Sequence, residues 1–191
     1  MTRSIEYVPR DFSALRGLRG IPDALLAAHL RLYEGYVRNL NVLLRRLAEH
    51  GPATPEASEL RRRLGFEING MRLHELYFEN LSPRGGDPPA DGRKRLAGEW
   101  GSVGAWREEF TAIGLMRGVG WAILYEDPVT RRLSNHWIGL HEEGHPAGFR
   151  PLLVMDLWEH AFTGLERPNY VEAFLANVAW ERVHARLAAS L

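Results

Sequence analysis

The stretch Arg84-Gly85-Gly86-Asp87-Pro88-Pro89 divides this chain into two parts with different hydrophobic periodicity. Glycine and proline at that density end regular structure on either side. Upstream, Pro22 and Asp23 open a segment that runs to about His50, where Gly51-Pro52 stops it. Its apolar positions, among them Leu26, Tyr33, Val37, Leu40 and Leu47, return at helical spacing. A shorter helix is expected from Thr54-Pro55-Glu56 to about residue 64, and another over 71–81, which together make an antiparallel helical hairpin. Residues 1–20, punctuated by Pro9, Gly17 and Gly20, read as irregular. Downstream come two helices near 91–100 and 103–113, then three short apolar runs at 121–125, 133–138 and 152–155. Asp127-Pro128 marks a turn between the first two runs. Short antiparallel strands with helices packed around them define an α+β fold. The expected division is a helical hairpin domain over 1–84 and, over 85–191, a C-terminal α/β domain with a three-stranded antiparallel sheet.

The chemistry concentrates at the end of the last apolar run. Pro151-Leu152-Leu153-Val154-Met155 reads as a buried strand and is followed by Asp156-Leu157-Trp158-Glu159-His160-Ala161-Phe162. Asp156 then ends the strand and His160 lies one turn further on. A carboxylate and an imidazole held that closely suit a hard-to-borderline cation such as iron or manganese.

As a string, D-x-W-E-H-A is similar to the signature of the iron/manganese superoxide dismutases. Other segments follow that family's order. Tyr36-Val37-Arg38-Asn39-Leu40-Asn41 resembles the end of its first long helix, and His74-Glu75-Leu76-Tyr77-Phe78-Glu79-Asn80-Leu81-Ser82-Pro83 resembles its second ligand helix. Gly118-Val119-Gly120-Trp121 looks like the start of its first strand, and Arg167-Pro168-Asn169-Tyr170 with Asn177-Val178-Ala179-Trp180-Glu181 looks like its closing helices. The resemblance covers about residues 20–185. It places a metal site between the two domains, with His74, Asp156 and His160 as ligands. The fourth ligand would come from the first helix. Here His29 lies seven residues before Tyr36, one fewer than the family's usual spacing, and the usual ligand position is taken by Ala28. Seven residues at about 100° each return to nearly the same helix face. The longer spacing needs one turn widened by an extra residue, a π-bulge. The expectation is therefore that His29 is the fourth ligand on a locally regular helix; the alternative is an ordinary core or surface histidine.

A second departure is His141. The family uses a glutamine to hydrogen-bond the metal-bound solvent, supplied either from the second ligand helix or from the loop after the second strand. Gly70 stands at the helical position, and His141 falls at the loop position. An imidazole can donate or accept there. The resemblance further implies that Tyr36 passes protons at the mouth of the site and that Trp121 and Trp158 wall the cavity. Simple core packing would equally account for all three aromatics. The implied reaction is disproportionation of superoxide to dioxygen and hydrogen peroxide at one iron or manganese ion per subunit. The ligands do not choose between the two metals, and Gly70 with His141 departs from the iron type that carries the glutamine on the helix.

A homodimer is implied as well, with a changed interface. The positions that usually meet across it read Leu32 or Tyr33 on one side and Thr163 on the other, while Glu159, which bridges to a ligand histidine of the other subunit in the family, is kept. Two alternatives to the dismutase remain open from the residues: a non-catalytic scaffold of the same fold, and a different mononuclear iron enzyme built on His74, Asp156 and His160 alone.

Composition excludes other classes. With 24 basic and 24 acidic residues the chain carries no net field to draw nucleic acid or an anionic membrane. Zero cysteines exclude disulfides and thiolate chemistry. No apolar run approaches the roughly 20 residues of a membrane span. Met1-Thr2-Arg3-Ser4-Ile5-Glu6 lacks the apolar core of a signal peptide, so a cytoplasmic address is expected. The arginines at 45–46 and 61–63 read as solvated helix faces, and His50, His136, His145 and His184 as surface, strand-edge or loop residues.

Overall fold

Gly51-Pro52 separates two long helices, α1 (Asp23–Glu49) and α2 (Pro55–Glu79), which pack antiparallel as the hairpin. The structure is a computed structural model that describes residues 6–188. Residues 1–5, on which the expected lack of a signal peptide partly rests, lie outside the described residues. Helix α1 is α-helical throughout, with no widened turn between His29 and Tyr36. Helix α2 starts on Thr54, whose Oγ1 accepts from the Ala57 N–H at 3.2 Å, with Pro55 in the first turn.

Where two helices were expected over 55–81, α2 is one helix of 25 residues. Gly65 and Gly70 lie inside it without breaking it. A glycine costs a helix interior about 1 kcal/mol, and at Gly70 packing offsets this. A Cβ there would stand 2.5 Å from Cδ1 of Tyr36, so the absent side chain is the space that the Tyr36 ring occupies. The hairpin partner decides the matter, not local propensity.

After the linker come α3 (Ala90–Trp100) and α4 (Val103–Gly114). Gly101 ends α3 in the left-handed region at φ 80°, and the Ser102 hydroxyl accepts from the Ala105 N–H at 3.0 Å to start α4. Strands β1 (Gly120–Glu126), β2 (Leu133–Gly139) and β3 (Arg150–Asp156) form an antiparallel sheet ordered β2-β1-β3, followed by α5 (Arg167–Ala176) and α6 (Trp180–Ala188). Central strand β1 is buried along its whole length, which is why Trp121-Ala122-Ile123-Leu124-Tyr125 reads as an unbroken apolar run instead of an alternating one. The register sets Trp121 opposite Ile138 on β2 and Asp156 on β3.

The outer edge of β3 is closed by a side chain. Buried Asn80, at the end of α2, accepts from the Val154 N–H at 2.9 Å and points its amide at the Leu152 carbonyl, 3.4 Å away. Asn80 thus satisfies the Val154 N–H on this edge and ties the hairpin to the sheet, while Arg186 Nη1 also donates to the Leu152 carbonyl at 2.7 Å. Asn80→Ala is expected to lower unfolding free energy by about 2 kcal/mol, the cost of orphaning a buried amide. Urea unfolding at matched protein concentration and metal loading checks it; an unchanged midpoint would mean that the edge is satisfied another way.

Candidate metal centre

Four side chains from four elements converge between the hairpin and the sheet. His29 comes from α1, His74 from α2, Asp156 from the last position of β3, and His160 from the short 3-10 turn Glu159–Ala161. The Nε2 atoms of His29 and His160 each stand 3.1 Å from Asp156 Oδ2. Nε2 of His74 is 3.5 Å from that oxygen and 3.4 Å from Nε2 of His160. All four ligand atoms lie within 4.8 Å of one another. Atoms about 2.1 Å from a common ion would stand about 3.0 Å apart at right angles and about 3.6 Å apart at 120°. The separations of 3.1 to 3.5 Å around Asp156 Oδ2 and His160 Nε2 match a shared cation.

Protonation supports the same fit. The His74 ring approaches the Gly70 carbonyl through Nδ1 at 2.5 Å; a carbonyl only accepts, so Nδ1 carries the proton and Nε2 offers a lone pair to the cluster. Burial pushes the His29 imidazole below its ordinary value against the pull of Asp156, and pushes His74 well below it. Burial alone would raise the Asp156 carboxyl, but hydrogen bonds and charge from His160 and His29 outweigh it and hold the carboxylate ionised. Oδ1 of Asp156 is occupied by the Trp158 N–H at 2.8 Å. The bare Nε2 of His74 and the ionised Asp156 carboxylate, both fully buried, bring lone pairs to within 3.5 Å of each other. A cation supplies what is missing.

Tyr36 and His141 form a second layer. The Tyr36 hydroxyl lies 2.6 Å from His141 Nε2, and the Trp121 indole N–H donates to His141 Nδ1 at 3.1 Å. An indole N–H can only donate, so Nδ1 is unprotonated and neutral His141 carries its proton on Nε2, aimed at the Tyr36 oxygen. Burial pushes His141 down to about 4 and, with Asp156 and Glu67, pushes Tyr36 up to about 12. At neutral pH the pair is an uncharged imidazole donating to an intact phenol, whose own O–H remains to point elsewhere.

Trp121 meets the His74 ring edge-on at 5.1 Å and is fully buried. Trp158 is half-buried and stacks on both His141, at 4.8 Å, and His160, at 5.9 Å. Glu159 is exposed and stands outside the cluster. Tyr33, one of two candidates for an interface position, is internal: buried, it donates to Glu75 Oε1 at 3.1 Å, while Leu32 is exposed. Thr163 is exposed and donates to the Glu159 carbonyl.

Several contributors were not singled out from the sequence. Phe66 packs 4.5 Å from the His141 ring and 6.2 Å from Tyr36, with the Arg63 guanidinium 3.8 Å above it. Arg63, read as part of a solvated face, also pairs with buried Glu67. Phe66 lies eight residues before His74, about 80° around the helix from it, so no face-sharing spacing marked it in the sequence. Tyr77 and Phe78 flank His29, each about 5.0 Å from its ring.

Comparison with known proteins gives the setting. Residues 88–186 match the family model described as iron/manganese superoxide dismutases, C-terminal domain. The chain is 36% identical over 185 residues to a superoxide dismutase [Fe] of Cupriavidus metallidurans, covering 91% of this chain and 92% of that protein. It is 33% identical over 193 residues to superoxide dismutase [Mn] 2 of Haloferax volcanii, covering 97% and 96%. It is also 32% identical over 191 residues to a superoxide dismutase [Fe] of Aquifex pyrophilus, covering 93% and 89%.

Proposed function

This chain belongs to the iron/manganese superoxide dismutase family, and from that premise we propose that His29, His74, Asp156 and His160 hold its iron or manganese ion while Tyr36 and His141 manage the protons. The activity is that of the family, disproportionation of two superoxide ions and two protons to dioxygen and hydrogen peroxide. The observation that carries the assignment of ligands is the convergence of three imidazole nitrogens on the Asp156 carboxylate, with all four ligand atoms within 4.8 Å of one another. His29, 3.1 Å from Asp156 Oδ2, supports four-ligand closure over a three-ligand oxygenase set.

Held by these four side chains, iron or manganese would supply one-electron redox chemistry toward superoxide. The rest falls to side chains. Three neutral imidazoles and one carboxylate leave a divalent or trivalent ion with net positive charge, which favours an anionic substrate. Trp121, Trp158 and Phe66 keep the cavity narrow and apolar, limiting bulk water. The second half-reaction consumes protons. Tyr36 holds one on its oxygen, free to be donated because His141 Nε2–H already occupies an acceptor site on that oxygen. The same His141 donor stabilises the phenolate left after transfer, which recovers its proton from solvent.

The two units, 1–84 and 85–191, would each bring two ligands, which makes their docking a condition of metal binding. A homodimer fits exposed Leu32, exposed Glu159 and exposed Thr163 on its expected contact surface. A cytoplasmic address accords with a chain free of cysteine, and no helix among the described residues is long and apolar enough to cross a membrane.

The test is elemental analysis paired with superoxide consumption for wild type and His29→Ala. Wild type is expected to hold iron or manganese at about one ion per chain. The variant is expected to lose metal and more than about tenfold in activity. Full metal content and full activity in His29→Ala would remove His29 from the ligand set and favour the three-ligand arrangement.

A further inference from the structure

His141 belongs to the loop over residues 140–149, and a side chain used to aim a proton needs a main chain that stays in place. The loop is anchored at two points to β1, four residues apart and on one face of the strand. The first is the Trp121 indole on His141 Nδ1. The second runs through His145. Its Nε2 lies 2.9 Å from the His141 carbonyl oxygen, and its Nδ1 lies 2.6 Å from the hydroxyl of buried Tyr125. A carbonyl only accepts, so Nε2 of His145 carries the proton; the neutral ring then accepts at Nδ1 from the Tyr125 O–H.

The geometry points to His145 as a positioning residue. It clamps the main chain of His141 to Tyr125 so that His141 Nε2 stands 2.6 Å from the Tyr36 oxygen. The local backbone supports this. Gly139 and Glu143 exchange two backbone hydrogen bonds at 2.8 and 3.0 Å, closing a tight turn with Leu140 in the left-handed region at φ 51°. Gly144 follows at φ 97°, where a Cβ would sit 3.2 Å from the Trp137 carbonyl. A turn of that kind stores strain, and the Tyr125–His145 strut ties the His141 carbonyl, on the side of the loop away from the Trp121 indole, to β1. The assignment rests on the reading of Tyr36 and His141 as the proton-handling pair.

The experiment uses the metal-loaded enzyme and four variants: His145→Ala, His145→Gln, Tyr125→Phe and His141→Ala, with the double variant His141→Ala/His145→Ala. Turnover is measured as kcat and KM separately, and amide hydrogen exchange is followed over residues 140–148. His145→Ala is expected to lower kcat about tenfold with KM little changed, since a displacement of about 1 Å misaims the donor, and to speed exchange in the loop. Tyr125→Phe, which removes one hydroxyl from a packed ring, is expected to do the same to a smaller degree. His145→Gln keeps a donor for the carbonyl and an acceptor for the hydroxyl and is expected to restore both readouts. In the His141→Ala background the loss from His145→Ala is expected to vanish. Wild-type kcat in His145→Ala beside a damaged His141→Ala overturns the clamp alone, as do losses that multiply in the double variant. Wild-type kcat and exchange in Tyr125→Phe also overturn it, even where a histidine variant fails to fold. Full activity in His141→Ala overturns the proton-pair reading and the clamp with it.

Discussion

Asp156→Asn is expected to empty the centre of metal and abolish superoxide consumption while leaving the chain folded. Asp156 supplies the only negative charge among the four converging ligands, and its Oδ2 is the atom that His29 and His160 both face at 3.1 Å. Removing that charge leaves a trivalent or divalent ion among neutral groups. Metal affinity should fall by more than the roughly 100-fold that loss of an outer partner can cause. The fold has a different dependence. Asn fills the same volume and can still accept the Trp158 N–H, which now reaches Asp156 Oδ1 at 2.8 Å. Its amide can also donate to an imidazole lone pair, which the carboxylate cannot. With the carboxylate's pairing to His29 and His160 lost, the metal-free variant should nonetheless melt below metal-free wild type while remaining folded. Elemental analysis, a superoxide assay and thermal unfolding after chelation measure the three quantities. Metal retained near one ion per chain would show that Asp156 is not a ligand. A metal-free variant that fails to fold would show that the carboxylate organises the histidines on its own account.

Much of the candidate centre was legible in the sequence, because metal sites are built from residue types and spacings that survive in the string. The interval between Asp156 and His160, the apolar run before Asp156, and the helical register of His29 with Tyr36 each correspond to a local feature: a strand end, a 3-10 turn, and two helical turns of α1. The α+β order and the three strands followed from changes in periodicity for the same reason. What escaped depends on partners remote in sequence. The unity of α2 rests on Gly70 making room for Tyr36 from the other arm of the hairpin, so local helix propensity argued for a break that packing forbids. Asn80 looked like the end of a ligand helix, and its role in closing β3 needs Val154, 74 residues on. His145 read as a loop histidine because its two partners, the Tyr125 hydroxyl and a main-chain carbonyl, leave no spacing pattern. Tyr33 was a candidate for a contact between subunits by motif position alone. Its bond to Glu75, 42 residues away, turns it inward.

Metal-free protein is expected to lose stability steeply as pH falls below about 6.5. Burial holds the folded-state imidazoles of His29 and His74 below their ordinary range and brings His141 down to about 4. In the unfolded chain each titrates near 6.5. The sign follows from proton binding: between the two values the unfolded chain holds protons that the folded chain does not, so acid favours unfolding. The stabilising contribution of each group is complete above about pH 6.5 and is lost as pH falls toward its folded value. The slope is about 1.4 kcal/mol per pH unit for each imidazole, giving a ceiling near 4 kcal/mol per unit while all three remain neutral in the fold. Asp156, held below its usual range, extends the loss at still lower pH, where the unfolded carboxylate protonates first. Against a total stability of about 5–15 kcal/mol, two pH units suffice to unfold a marginal apoprotein. Bound metal competes with the same protons, so the loaded enzyme should tolerate a lower pH, and its acid limit should mark metal release. Urea unfolding of chelator-stripped protein between pH 7.5 and 5 gives the slope directly, and His74→Gln should remove about a third of it. A stability that stays flat across that range would mean that the folded and unfolded chains bind protons equally, so that burial does not hold these histidines neutral in the fold.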